Sequence, residues 1–289
     1  MQEQAVSVNG IEFAYLESGP ADGPLALCLH GFPDTAHTWR HLLPALGEAG
    51  YHAVAPWMRG YAPSGLAPDG AYQVGALASD AGALHDALGA DADAVIIGHD
   101  WGAFAGYGAA SHQPDRWRRV VAMAVPPLVA SAAKFFTYAQ MKRSFYIFLF
   151  QLPLAEPAVS ADNFEFIDNL WADWSPGYDG AWDAARVKEA IGQPDNLAAA
   201  IGYYRAMFDP ALHRPEYADA QGAATSVPAQ PTLYLHGTDD GALGIEAAGD
   251  VGTVLSAGSK YVVIEGAGHF LHLQQPDAVR DHVLSFLAG

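Results

Sequence analysis

Residues 94–102 constrain the fold of this chain more than any other stretch. Ala94-Val95-Ile96-Ile97 is a continuous apolar run of the kind a buried strand makes, and Gly98-His99-Asp100-Trp101-Gly102 follows it directly. The expected geometry is a strand that enters a tight turn and then a helix. Gly98 and Gly102 flank the turn, so backbone can pack closely there with no Cβ in the way. That is the layout of G-x-S-x-G, which lifts its central side chain to the top of a sheet. Here the central residue is Asp. A serine alkoxide attacks carbonyl carbon. A carboxylate is a weak nucleophile there, but it can displace a leaving group from saturated carbon and form an ester. The turn therefore points to alkyl transfer, as in opening an epoxide or expelling a halide.

The flanking sequence builds a sheet around that turn. Ala5-Val6-Ser7-Val8, Asn9-Gly10 and Ile11-Glu12-Phe13-Ala14-Tyr15 read as a hairpin. Leu25–Leu29, His52–Ala55, Val95–Ile97, Arg119–Val125, Thr232–Leu235 and Tyr261–Ile264 read as further strands. The Leu25–Leu29 run is apolar throughout, as in a parallel strand covered on both faces. Helical patterns alternate with them: Trp39 to Leu46 before Gly50, Val74 to Leu88, Ala103 to Ala110, and a last one from Pro276. This alternation predicts a mostly parallel sheet with helices on both faces. Pro126-Pro127 stops the pattern, and no buried strand is read from 128 to 224. That aromatic-rich, helical block is expected to be an insertion in a core formed by residues 1–127 and 225–289.

Composition sets the outer bounds. A chain of 289 residues with 51% hydrophobic and 16% charged residues can bury an extensive core. Its formal net charge of -18 argues against nucleic acid and anionic lipid as partners. The apolar patch around Phe145–Phe150 is too short to span a bilayer. The start of the chain lacks the basic and apolar regions of a signal peptide. The single cysteine, Cys28, excludes an internal disulfide and reads as a small core residue. These features fit a cytoplasmic protein, monomeric or homodimeric. No Cys/His cluster suggests a metal, and no P-loop or dinucleotide fingerprint suggests a cofactor.

An aspartyl ester must be hydrolysed, which calls for a base. Among 12 histidines, His269 stands in the glycine-rich loop Gly266-Ala267-Gly268-His269-Phe270, after the last strand and at the sheet's C-terminal edge. His272 is read as a bystander and His99 as packing beneath the elbow. His269 needs an acid to fix its tautomer and stabilise the imidazolium. Thr238-Asp239-Asp240 follows the preceding strand, and either Asp could serve. Breakdown of the ester also needs an oxyanion hole of two backbone N–H groups. Trp101, next to Asp100, supplies one. Phe32, in His30-Gly31-Phe32-Pro33 after the Leu25–Leu29 strand, supplies the other.

With those segments in place, the chain resembles the epoxide hydrolases of the α/β-hydrolase superfamily, on the Asp-nucleophile branch, over nearly its whole length. The resemblance is carried by His30-Gly31-Phe32-Pro33-Asp34, Arg59-Gly60-Tyr61-Ala62-Pro63-Ser64, Gly98-His99-Asp100-Trp101-Gly102-Ala103, Thr238-Asp239-Asp240 and Gly268-His269-Phe270. It implies an α/β-hydrolase fold: a mostly parallel eight-stranded sheet flanked by helices, with a helical cap inserted after the sixth strand. It implies Asp240 rather than Asp239 as the acid. It also implies two cap tyrosines that hold the epoxide oxygen. Tyr204, in Tyr203-Tyr204-Arg205, matches one; Tyr146, in the aromatic run that ends at Gln151, matches the other. The plainer alternative is that these cap aromatics only pack.

The implied activity is conversion of a small, mostly apolar epoxide and water to a vicinal diol, with no cofactor. A haloalkane or haloacetate dehalogenase would share Asp100, Asp240 and His269. Haloalkane dehalogenases usually carry a polar residue where Phe32 stands, and haloacetate dehalogenases use an arginine beside the nucleophile, where this chain has Trp101-Gly102-Ala103. A non-catalytic receptor on the same fold need not keep Asp100, Asp240, His269 and both tyrosines together.

Overall fold

The Asn9-Gly10 turn, with both residues at positive φ, closes a hairpin of β1 (Gln2–Val8) and β2 (Ile11–Ser18) in antiparallel register. The computed structural model describes all residues, Met1–Gly289. The other strands are β3 (Leu25–Leu29), β4 (His52–Pro56), β5 (Val95–His99), β6 (Arg119–Met123), β7 (Thr232–Gly237) and β8 (Lys260–Ile264). They form one eight-stranded sheet in the order β1-β2-β4-β3-β5-β6-β7-β8, parallel from β4 to β8. β3, β4 and β5 are buried along their whole length, and β3 accordingly reads as an unbroken apolar run, as do residues 53–55 of β4 and 95–97 of β5.

The crossovers decide where the helices lie. The chain steps one way from β3 through α1 (Leu42–Glu48) to β4. It then steps the other way through α2 (Val74–Ala87) to β5 and through α3 (Trp101–His112) to β6. Right-handed crossovers therefore put α1 on one face and α2 and α3 on the other. The direction of winding reverses between β3 and β5, which are neighbours in register, Leu29 beside Gly98. Loops leaving such a switch point diverge and open a crevice at the carboxyl edge.

Between β6 and β7 the chain makes only helices: α4 (Leu128–Phe135), α5 (Tyr138–Arg143), α6 (Phe145–Leu149), α7 (Ala155–Trp174), α8 (Ala181–Ile191), α9 (Pro194–Phe208) and α10 (Ala218–Ala223), with short 3-10 turns. α7 is broken at Asp162–Phe164, all three at positive φ. α10 packs on α2 and α3. Two short helices, α11 (Ile245–Ala248) and α12 (Val251–Val254), precede β8; α13 (Leu271–Gln274) and α14 (Pro276–Ala288) close the chain, with α14 against α1.

Several boundaries differ from the sequence reading by a residue or two. β5 runs on to His99 and α3 begins at once at Trp101, because the elbow consumes a single residue. β6 stops at Met123, where Ala124 turns to a φ of 66°.

Candidate active site

Asp100 sits alone between β5 and α3 with φ 52° and ψ −117°. That region is costly for a residue with a Cβ and persists only where the surroundings enforce it. Here glycines do so. A Cβ on Gly98 would lie 2.1 Å from Gly102 O, and one on Gly102 2.0 Å from Leu29 O. A Cβ on Gly31 would lie 2.3 Å from Asp100 Oδ1. The bare backbone of all three lets strand, helix and loop close on the carboxylate.

The two oxygens of Asp100 have different surroundings. Oδ1 accepts the Phe32 N–H at 2.8 Å. Oδ2 lies 3.8 Å from His269 Nε2. Burial raises the pKa of Asp100, opposed by His269 and by the Phe32 and Trp101 N–H groups. The Phe32 loop is fixed by His30, whose Nε2 accepts the Met58 N–H at 3.0 Å while Nδ1 faces Gly31 O at 2.8 Å. Burial pushes His30 down to about 4, so it serves as a neutral strut.

His269 and Asp240 come from the loops after β8 and β7, which end side by side with Gly237 opposite Ile264. His269 Nδ1 lies 3.0 Å from Asp240 Oδ2. Asp240 is buried and its Oδ1 accepts the N–H groups of Ala242 and Leu243 at 2.8 and 2.9 Å. Asp239 is exposed. Burial disfavours charge on His269, but Asp240 and then Asp100 outweigh it, and its pKa lies above the usual value. His269 Nε2 is buried and makes no hydrogen bond.

Tyr146 and Tyr204, from α6 and α9, meet beside Asp100 with rings 5.6 Å apart and nearly perpendicular. Both are buried, and burial lifts both phenols well above the usual tyrosine value, so they remain protonated donors. The Tyr204 hydroxyl is buried and unpartnered. Its neighbour Tyr203 is not free: its hydroxyl donates to Arg59 O at 2.8 Å. Gln151 Nε2 donates to Ile147 O and Tyr204 O at 2.9 and 3.0 Å, tying the two tyrosine segments together.

Asp100, His269, Tyr146, Tyr204 and Trp101 line one cavity of about 400 Å³. The remaining wall is mostly apolar, with Phe104, Leu128, Phe135 and Phe208 among its residues. Phe32 does not line it. Its ring is buried edge-on against Phe150 and Tyr204, each 5.3 Å away, so Phe32 faces the site through its backbone alone.

Other residues brace the site without a mark in the local sequence pattern. Trp174 O, at the end of α7, accepts the N–H groups of His269 and Gly241 at 2.8 and 3.2 Å, and Ser175 Oγ accepts that of Phe270 at 2.9 Å. Behind His269, His99 Nε2 meets His269 O at 2.9 Å. His99 also packs against His272, and burial lowers both imidazoles well below the usual value.

A family model described as the alpha/beta hydrolase fold matches residues 24–276. Epoxide hydrolase A of Mycobacterium tuberculosis is 32% identical to this chain over 320 aligned positions, covering 99% of this chain and 97% of that protein. An epoxide hydrolase of Caballeronia sordidicola is 33% identical, over 82% of this chain and 68% of that protein. Among solved structures, epoxide hydrolase A from Mycobacterium thermoresistibile superposes with a TM-score of 0.81 at 27% identity, covering 100% of this chain and 98% of that one. The chain belongs to the α/β-hydrolase family, in the group that these epoxide hydrolases represent.

Proposed function

We propose that the protein hydrolyses small, mostly apolar epoxides to vicinal diols in two steps through an ester on Asp100, with residues 128–224 as the cap over the site. The observation that carries the reading is the asymmetry of the Asp100 carboxylate. Oδ1 is held by the Phe32 N–H, while Oδ2 is the oxygen that faces His269, and Asp100 lines the cavity.

Oδ2 attacks a ring carbon. The new carbon–oxygen bond forms as the ring bond breaks, and the departing oxygen takes a proton from Tyr204 or Tyr146. Oδ1 is then the carbonyl oxygen of the ester. His269 Nε2 removes a proton from water, whose oxygen adds to the ester carbonyl carbon. Negative charge develops on Oδ1, where the Phe32 and Trp101 N–H groups stabilise it. Collapse expels the diol oxygen, which takes its proton from His269, and the proton left on the added oxygen returns to the tyrosinate, so that the Asp100 carboxylate and both phenols are restored. Asp240 holds the tautomer and supports the imidazolium.

Esterification also switches His269. It removes the Asp100 charge, one of the groups that hold the His269 pKa up. The ring therefore loses its proton more readily once there is an ester to hydrolyse, and stands as the neutral imidazole that activation of water requires. A turnover assay on purified protein tests the reading, with diol followed from aryl and alkyl epoxides and halide from haloalkanes and haloacetates. Diol formation that disappears in Asp100→Ala is expected. Halide release without diol would replace the reading with a dehalogenase.

A further inference from the structure

The helices at the cavity mouth carry a charge unlike that of the rest of the chain. From 128 to 154 there is no Asp or Glu, in a protein with 32 of them, and the stretch contains Lys134, Lys142 and Arg143. It also exposes large apolar side chains: Val129 at 58%, Phe136 at 64%, Tyr138 at 82% and Leu154 at 66%. This surface is continuous with the cavity, because Leu128, Phe136 and Phe208 are exposed and also line it. Ring contacts join Phe136 to Phe135, Phe135 to Phe148, and Phe148 to Phe208 at 5.1, 6.3 and 6.4 Å. A contiguous exposed apolar patch of this kind marks an interaction surface.

We propose that this face, α4 to α6 with the end of α9, docks on a lipid bilayer that carries anionic headgroups. Aromatic and aliphatic side chains would enter the headgroup and acyl boundary, and the lysines would meet the headgroups. The chain would lie on the membrane, since no helix is long and apolar enough to cross it.

Two physical arguments choose this occupant. A second copy pressed face to face would bring the unpaired Lys134 and Lys142 of one copy towards those of the other, with no Asp or Glu between residues 128 and 154 to pair with them. The net charge of -18, which taken over the whole chain points away from anionic lipid, is dominated by groups elsewhere. Beyond about 8 Å such charges are largely screened at physiological ionic strength, so the local cations govern the contact. Of the acids beside the face, Glu246 pairs with Arg143 and Glu156 with Arg205, while Asp209 and Asp250 keep their charge at its edge; Lys134 and Lys142 make no ion pair. Docking at the mouth would let a lipophilic epoxide pass from membrane to cavity, a consequence that rests on the proposed activity; the docking itself does not.

Flotation with phosphatidylcholine vesicles, with and without phosphatidylserine, tests the proposal. The wild type is expected to float with the serine-containing vesicles and to be released by high salt. V129E/Y138E and K134E/K142E are each expected to weaken binding at least about tenfold. V129E/Y138E should still turn over a short, water-soluble epoxide, which shows that it is folded. Wild type that stays in solution with both vesicles would overturn the proposal. So would a wild-type dimer that floats with neither and is split by V129E/Y138E, which would make this a self-association face. Flotation without turnover of any epoxide would remove the proposed activity and leave the docking face standing.

Discussion

At the scale of single residues, the site separates groups that hold charge from groups that hold protons. Tyr146 and Tyr204 are kept neutral by burial, and Tyr204 has no partner in the protein to give its proton to. A forming alkoxide would supply one. Because two phenols converge on the same point, Tyr204→Phe or Tyr146→Phe alone should reduce turnover by less than the roughly 10²- to 10³-fold that follows loss of a sole strong donor. The double variant should lose more than either, as read in kcat with one epoxide.

In the proposed mechanism the same residues would set a pH dependence with two distinct limbs. As the proposed nucleophile, Asp100 would have to be ionised to attack. Its pKa is raised by burial, so the esterification rate should fall with decreasing pH through a value above that of an ordinary aspartate. Hydrolysis of the ester needs neutral His269 and should therefore rise with pH. That limb should lie below the pKa of His269 in the free enzyme, because the ester no longer carries the Asp100 charge. Single-turnover stopped-flow measurements, following the fluorescence of Trp101 and Trp174 beside the site, would resolve the two limbs.

At the scale of elements, the legible parts are those whose pattern is local. β3 is five consecutive apolar residues and is readable end to end. The elbow is readable because two glycines and an apolar run lie within nine residues, and the hairpin because Asn9-Gly10 interrupts an alternation. The choice between Asp239 and Asp240 is not local, since adjacent carboxylates in a turn look alike until one is buried against His269. Nor is the bracing of the His269 loop by Trp174, whose carbonyl pairs with a residue far along the chain. Phe32 can be placed as a backbone donor, but whether its ring faces the cavity depends on how α6 and α9 pack over it. The close approach at the elbow sets a stability cost of its own. In Gly102→Ala the new Cβ would meet Leu29 backbone, which cannot swing aside as a side chain would. The substitution should cost about 3 kcal/mol or more, measured by urea unfolding.

At the scale of the whole molecule, Arg59, in the loop after β4, is one of the points that tie the helices between β6 and β7 to the rest of the fold. This buried guanidinium binds Asp80 on α2 at 2.6 Å through both Nε and Nη2, while its own carbonyl accepts the Tyr203 hydroxyl from α9. Removing the carboxylate would leave a buried cation with two backbone carbonyls and the more distant Asp69, 3.8 Å away, beside it. Asp80→Ala should therefore destabilise by roughly 3 kcal/mol, at the lower end for a broken buried pair, seen as a lower urea midpoint. It should also impair turnover, because Tyr204 adjoins Tyr203 on the same helix.

The covalent step is tested most directly by a single turnover in H₂¹⁸O with enzyme in excess over epoxide, followed by mass analysis of the diol and of the peptide containing Asp100. Attack by Asp100 and addition of water to the ester carbonyl predict an unlabelled diol and ¹⁸O in the Asp100 carboxylate. A diol that carries ¹⁸O from its first turnover, with Asp100 unlabelled, would mean that water opens the ring directly and would contradict the mechanism.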